Sequence, residues 1–403
     1  MYRLVNLDLV CEVIAGQSPP SSSYNQKEQG LPFFQGKADF NDKFPSIRYW
    51  CREPTKVSVE NDILISVRAP VGAININNTK ACIGRGLAAI RCGENVNLGF
   101  LFHYLKSQQN VIEDLGTGST FKAITIKTLK SLKIPLPPLK TQIKIAEILD
   151  NAAALRDKTA QLLKEYDLLA QSIFLEMFGN PVKNPLQFEE KTIKEVSSLV
   201  TKGSSPNWQG YEYLEKGVRF VTSENVRLGH LDCSKDKFVS YEFHEKLKRS
   251  QLKKNDLLVN LVGASIGRGA LANEENLPAN INQAVAKVEP LQDKINPVYL
   301  LKLIITPQMQ ARLTGNKVEG ARANISLKDV RELKIIYPSI NLQNQFAEKI
   351  ALIEQQKELA KQELKESEDL FNCLLQKAFK GELVKEEEVV GEKEIIEEET
   401  SNL

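Results

Sequence analysis

Between Lys133 and Pro181 the chain reads KIPLPPLKTQIKIAEILDNAAALRDKTAQLLKEYDLLAQSIFLEMFGNP. This stretch restricts the fold more than any other. A proline-rich strap is followed by about ten turns of uninterrupted helical sequence at 3.6 residues per turn. Phe178-Gly179-Asn180-Pro181 predicts its end, with Gly just past the last apolar residue and Pro two further on. Ile148, Ala152, Leu155, Thr159, Leu162, Tyr166, Leu169 and Ile173 recur at alternating four- and three-residue steps. That spacing predicts a coiled-coil-like seam over about three heptads. A helix this long with one apolar stripe needs a partner helix.

The partner lies 201 residues on, because the sequence repeats itself. Gly16 and Pro19 match Gly203 and Pro206 at an offset of 187, as Gly30 and Phe33 match Gly217 and Phe220. Asn61-Asp62-Ile63-Leu64-Ile65 matches Asn255-Asp256-Leu257-Leu258-Val259 at 194, and Ile83 and Ala88 match Ile281 and Ala286 at 198. From Ala123 the offset is 201: Leu132-Lys133-Ile134 matches Leu333-Lys334-Ile335, Pro137 matches Pro338, and Gln142 matches Gln343. The offset climbs in loop-like stretches and holds within elements, as insertions do in a duplicated chain.

Each copy reads as an α/β (α+β) domain followed by one long helix. In the first, Val13–Ala15 enters a loop, Asp62–Val67 and Ala81–Ile90 read as strands, and Asn97–Glu113 and Lys127–Leu132 as helices. The second long helix, Asn341–Lys380, carries Phe346, Ile350, Ile353, Lys357, Ala360, Leu364, Ser367, Phe371, Leu374 and Ala378 in its seam. Lys357 and Ser367 interrupt that seam and can fix its register. The expected order is a domain over 1–138, a helix over 139–180, a domain over 181–339, a helix over 340–381, and a disordered acidic tail over 382–403. Antiparallel pairing of the helices makes a pseudo-twofold, dumbbell-like chain.

Composition narrows the function. The net charge of +2 hides a tail with nine Glu against two Lys, which leaves 51 basic and 42 acidic residues before it. A moderately basic body suits a polyanion. No run reaches the roughly 18 apolar residues of a membrane span. Asp8 and Glu12 break the apolar core a signal peptide needs, so a cytoplasmic protein is expected. Six dispersed cysteines and three histidines give no zinc spacing, and free, buried or half-buried thiols are expected.

Apparent catalytic motifs fail on context. Gly263-Ala264-Ser265-Ile266-Gly267 fits a nucleophile elbow, but every histidine precedes it. Gly84-Arg85-Gly86-Leu87-Ala88-Ala89 fits a loose dinucleotide pattern without a following helix, so a tight hairpin or strand is expected. No phosphate-binding loop is present. Asn296-Pro297-Val298-Tyr299 only echoes the N-P-P-Y loop of adenine methyltransferases, without a cofactor-binding glycine motif upstream.

Two variable domains, each followed by a near-identical long helix, resemble the DNA-specificity subunits of Type I restriction–modification systems. Leu132-Lys133-Ile134-Pro135-Leu136-Pro137-Pro138-Leu139 with Gln142 carries that resemblance, with Leu333-Lys334-Ile335, Pro338 and Gln343, and the loops Gly16–Pro19 and Gly203–Pro206. The second strap, Ile335-Ile336-Tyr337-Pro338-Ser339-Ile340, departs from the double proline. The resemblance implies two target-recognition domains reading a bipartite double-stranded DNA sequence, with the helices as spacer and docking surface. It also implies two methyltransferase subunits, which hold S-adenosylmethionine, and two restriction subunits, which use ATP and Mg. No cofactor, metal or catalytic residue is then expected in this chain.

Arg suits guanine, and Asn or Gln suits adenine. On that chemistry the candidate DNA contacts are Lys37, Arg68, Arg85, Ser119, Thr120 and Lys122 in the first copy. In the second they are Thr222, Asn225, Asn280, Asn282, Gln283, Arg322 and Asn324. The competing reading is a two-headed protein adaptor without DNA specificity, which the duplication fits equally well. A fused methylating enzyme is disfavoured by the missing motifs.

Overall fold

The long helices span Leu139–Phe178 and Ile340–Lys380 in the computed structural model, which describes residues 2–118, 122–315 and 324–384. Each stops at a glycine in the left-handed region, Gly179 at φ +68° and Gly381 at φ +80°, where a residue with Cβ is strained. The chain divides into two units, one from Met1–Ala160 with Gln362–Leu403, the other Gln161–Lys361. Each unit therefore takes part of both helices.

The repeat in the sequence is a repeat in register. The main sheet of the first unit is antiparallel, in the order Cys11–Ala15, Leu87–Cys92, Ile63–Ser66, Ile74–Ile76. That of the second runs Ser197–Lys202, Val285–Pro290, Leu257–Asn260, Gly269–Leu271. Ala88 lies opposite Ala15 and Ile65, and Ala286 opposite Lys202 and Val259, the partners displaced by the very offsets of the sequence. Beside each sheet sits a parallel pair, Phe33 with Cys82 in one unit and Phe220 with Asn280 in the other. The strap before each long helix is a strand too: Lys133–Pro135 pairs with Leu4–Asn6, and Lys334–Tyr337 with Glu189–Thr192.

The glutamine after each strap has a structural task. Gln142 is 1% exposed; its Oε1 accepts from the Asn97 backbone at 2.9 Å and its Nε2 donates to the carbonyls of Asn95 and Pro137 at 3.0 and 2.8 Å. Gln343 accepts from the Asn296 backbone at 2.8 Å and donates to Pro338 at 2.9 Å. Each amide ties the start of a long helix to the N-terminus of a domain helix, Leu98–Ser107 or Pro297–Ile304. Asn97 and Asn296 cap those helices through their side chains.

Within each unit the helical segments pair antiparallel. In the first, Ile145 and Leu149 pack with Phe371, Leu374 and Ala378 and with Phe100 of the domain. In the second, Phe174 and Phe178 pack with Phe346 and Tyr299, rings meeting mostly edge to face at 4.9–6.4 Å. Each such side chain contributes about 1.5–3 kcal/mol on burial. Lys357 bonds Asp167 at 2.7 Å across the helix pair. Ser367 instead returns its hydroxyl to Glu363 of its own helix, so of the two only Lys357 bonds across the helix pair.

Several expectations change. Leu155 and Leu169 are 51% and 46% exposed. The buried line on the first helix is Ile145, Leu149, Ala152, Thr159, Ala170, Phe174 and Phe178, because a 3.6-residue helix drifts from a strict heptad over ten turns. Ala81–Ile90 is two strands, Ala81–Ile83 and Leu87–Cys92. A Cβ on Gly86 would meet the Gln35 carbonyl at 2.3 Å, so the chain turns there. The helix expected over Asn97–Glu113 breaks at Gln108 into Leu98–Ser107 and Gln109–Asp114, where the Gln108 amide is shared between the Tyr104 and Leu105 carbonyls. Val384, placed with the acidic tail, is buried beside Ala378 and Phe100; residues 385–403 lie outside the described residues.

The cysteines are free thiols. Cys11 and Cys92 face each other across paired strands, and Cys373 is exposed on the second long helix, outside the expected burial. Among the described residues no helix is long and apolar enough to cross a membrane.

Candidate nucleic-acid interface

At one end of each main sheet the strand ends and their loops are stitched together by backbone hydrogen bonds. In the first unit Val67 donates to Gly86, Ile124 to Val67 and Gly84 to Phe34, at 2.8–3.0 Å. In the second Leu261 donates to Ala284, Ile325 to Leu261 and Asn282 to Val221, again at 2.8–3.0 Å. Each bond has its counterpart at the sequence offsets. Arg68 bridges to Ala123 where Val262 bridges to Asn324.

A glycine anchors the first loop of each end. A Cβ on Gly16 would lie 2.2 Å from the Gly84 carbonyl, and one on Gly203 1.7 Å from that of Ile281. No other residue allows these approaches. The glycine of each G-x-S-P sequence therefore presses its loop onto the neighbouring strand, and in the first unit Ser18 Oγ accepts the Arg85 backbone amide at 3.3 Å.

This framework gathers four of the first-unit candidates. Lys37 follows the strand Leu31–Phe34, Arg68 follows Ile63–Ser66, Arg85 sits in the turn before Leu87–Cys92, and Lys122 adjoins Ala123. All four are exposed, and none makes an ion pair with a described residue. Four cations without an ion-pair partner among the described residues thus lie on adjoining loops, a type of surface suited to phosphate. Ser119 and Thr120 lie outside the described residues, as does Arg322.

The second-unit candidates divide. Asn282 and Gln283 are half-buried and Asn324 exposed, all on the loops of the sheet end. Asn282 Oδ1 accepts the Ala284 amide at 3.1 Å, which leaves its NH2 group free to donate. Gln283 Oε1 is buried and has no partner among the described residues.

Thr222, Asn225 and Asn280 are a correction. They are 6%, 4% and 0% exposed, and their polar groups are spent inside the fold. Asn225 Oδ1 accepts from the Thr222 backbone at 2.9 Å and hydroxyl at 3.0 Å, while its Nδ2 donates to Asp232 at 2.9 Å. Asn280 bonds His244 Nδ1 at 2.5 Å and Ser250 Oγ at 2.8 Å. An Asn that closes a turn is indistinguishable in sequence from one that reads a base. In the first unit Asp39, 0% exposed and paired with Arg48, organises the corresponding turn by accepting from Gln35.

Sequence reasoning missed Trp208. It stands 76% exposed on the one-turn helix Asn207–Gln209, directly after the Gly203 loop. The G-x-S-P match pointed to that loop but not to the aromatic residue beyond it. Among the described residues no three His, Cys, Asp or Glu side chains are placed to hold a metal ion. Ser265 lies in a short turn and its hydroxyl accepts from Asn260 Nδ2 at 3.1 Å.

A duplicated frame with variable polar loops at corresponding sheet ends agrees with comparison to known proteins. The chain matches the Type I restriction modification DNA specificity domain over residues 2–165 and again over 185–368. It belongs to that family. As a member it serves DNA sequence specificity and is not itself an enzyme. It is 25% identical over 408 residues to the Type I restriction enzyme EcoBI specificity subunit of Escherichia coli, covering 94% of this chain and 85% of that one. It is 54% identical over 137 residues to a putative type I restriction enzyme MjaX specificity subunit of Methanocaldococcus jannaschii, a match spanning 34% of this chain and 32% of that protein. The crystal structure of the S subunit of a Type I system from M. genitalium aligns over 94% of this chain and 96% of its own, at a TM-score of 0.60 and 18% identity. That likeness supports the fold, including the two repeats and their long helices.

Proposed function

We propose that the two units are separate DNA readers, each taking one half of a split duplex sequence through the loops at the end of its main sheet. One observation carries this reading: three backbone bonds and one bridge of the frame recur at the sequence offsets, while the side chains displayed on it differ. A duplicated frame with divergent displays suits two different half-sites. In the first unit Arg85 and Arg68 face bases or backbone with Lys37 and Lys122 beside them, and in the second Asn282, Gln283 and Asn324 supply amide chemistry suited to adenine.

The long helices serve as spacer and as docking surface for two methyltransferase subunits and, in the complete system, two restriction subunits. S-adenosylmethionine belongs to the former and ATP with Mg to the latter. Exposed Leu155, Leu168, Leu352, Leu359 and Leu370 on the helices suit such docking. The test is duplex binding by the chain co-expressed with its methyltransferase. Expected is sequence-selective binding that weakens steeply with salt; absence of salt-sensitive duplex binding overturns the proposal.

A further inference from the structure

We propose that Trp208 is a base-contacting residue of the second unit and packs against a thymine methyl group in the half-site that this unit reads. The inference rests on the DNA-reading proposal above and adds a residue and a base to it.

The loop that bears Trp208 is built rather than loose. Gln209 and Tyr211 both donate backbone amides to the Pro206 carbonyl, at 2.8 and 3.1 Å. Gln209 Nε2 donates to Ser204 Oγ at 3.1 Å, and Gly210 at φ +78° turns the chain back. Tyr211 then packs on Phe243, and Tyr213 on Phe220. The two rings that follow Trp208 thus find places on the domain, while the indole is held out in water. A fixed, exposed indole exposes a large apolar surface with two rotatable bonds, which suits an interface anchor.

Its position selects the partner. Gly203 opens the loop and donates to the Asn282 carbonyl at 3.1 Å, so Trp208 belongs to the same sheet end as Asn282 and Gln283. The residue at the matching offset in the first copy is Ser21. A partner that recognises both copies would use features common to both, such as the glutamine-pinned helices. Trp208 is peculiar to one copy, and what differs between the copies is the DNA half-site. Apolar contact in the major groove is directed to the methyl group of thymine.

The chain has two tryptophans, Trp50 and Trp208, which makes the test direct. In the complex with its methyltransferase, Trp50→Phe leaves Trp208 as this chain's own indole. Its fluorescence, obtained by difference against the Trp50→Phe/Trp208→Phe complex, should change when target duplex is added. Trp208→Ala should bind the target about tenfold more weakly, with an unchanged dependence on salt. Replacing one thymine of the second half-site by deoxyuridine should weaken the wild type by a similar factor and the Trp208→Ala complex no further. An unaltered indole signal and unchanged affinity of Trp208→Ala, in a complex that still binds its target, overturn the assignment to DNA. Sensitivity to Trp208→Ala with no response to deoxyuridine at any thymine overturns the methyl contact. Failure of the wild-type complex to bind duplex at all overturns the DNA-reading proposal instead.

Discussion

The two sheet ends share a backbone and almost nothing else. Where the first unit has Arg68 bridged to Ala123, the second has Val262 bridged to Asn324. Where the first has Arg85 after Gly84, the second has Gln283 after Asn282, each at the sequence offset of 198. Among the described residues one end displays cations, and the other amides with an exposed indole. Loops hung on a hydrogen-bonded frame can change chemistry without changing the fold, because the stabilising bonds run through main-chain atoms. Under the proposed function the difference corresponds to two modes of reading, one dependent on charge and the other on shape and amide pairing.

The comparison extends inward, and there it can be broken by the largest effects. Each central strand follows a buried aspartate, Asp62 and Asp256, both 1% exposed. Asp62 meets Arg91 at 2.9 Å, and Arg91 reaches solvent and Glu12. Asp256 meets Lys287 at 3.1 Å, and that ammonium is itself 2% exposed, with the Gln251 carbonyl at 2.6 Å. Lys287→Met leaves a carboxylate without its buried cation and should destabilise the second unit by about 3–5 kcal/mol. Arg91→Ala should cost the first unit about 1–3 kcal/mol, since Asp62 keeps its bonds from Val59 and Ser58.

Acidity gives a further check on the same pair. Burial pushes the Asp256 carboxyl up, and Lys287 opposes that. Without Lys287 the folded value rises further above the unfolded one. Stability in the variant is then fully present below the ordinary carboxylate range and lost as pH rises through the folded value. The deficit of Lys287→Met should therefore shrink as pH falls toward about 4. Amide exchange of Leu257–Asn260 against pH measures it, and a deficit independent of pH would mean that lost packing, not charge, is what the substitution removes.

The duplication was legible because offsets survive in elements: Phe33 and Phe220, Ile65 and Val259, and Gln142 and Gln343 occupy equivalent places. The glutamines recur at a fixed distance after each strap, and their bonds to the strap and the domain helix supply the reason. Leu155 and Leu169 misled because a heptad frame assumes 3.5 residues per turn over a length on which the real helix drifts. Asn225 misleads because a turn and a base present the same demand to an amide, and Asn280 because an amide buried in a strand looks no different in sequence. Trp208 gave no periodic signal in a Gly- and Ser-rich loop, and only its exposure on a braced turn marks it.

If the sheet ends face DNA as proposed, the difference should appear in salt dependence. Neutralising Lys37, Arg68 and Lys122 together to Gln should flatten the slope of log affinity against log salt by about 2–3, at roughly 0.9 per phosphate contact. Gln283→Ala should leave that slope unchanged and relax selectivity in its own half-site. Titrations of the complex at several salt concentrations separate the two. Equal slopes for the triple variant and the wild type would show that these cations do not face phosphate, and the contrast between charged and neutral readers would fall.

The smallest expected change in affinity is the sharpest for specificity. Gln283 and Arg85 stand at equivalent positions, and Gln pairs with adenine as Arg does with guanine. Gln283→Arg should lower affinity for the native target by about 1–3 kcal/mol and restore it when one A·T pair of the second half-site becomes G·C. Arg85→Gln should make the reverse exchange in the first half-site. Selection from a randomised duplex pool reads both exchanges at once. If each variant loses affinity without gaining a new preference, the two positions support their loops but do not read bases. If only one switches, the repeated backbone places different side chains at different depths in the groove, and equivalence of register is not equivalence of reading.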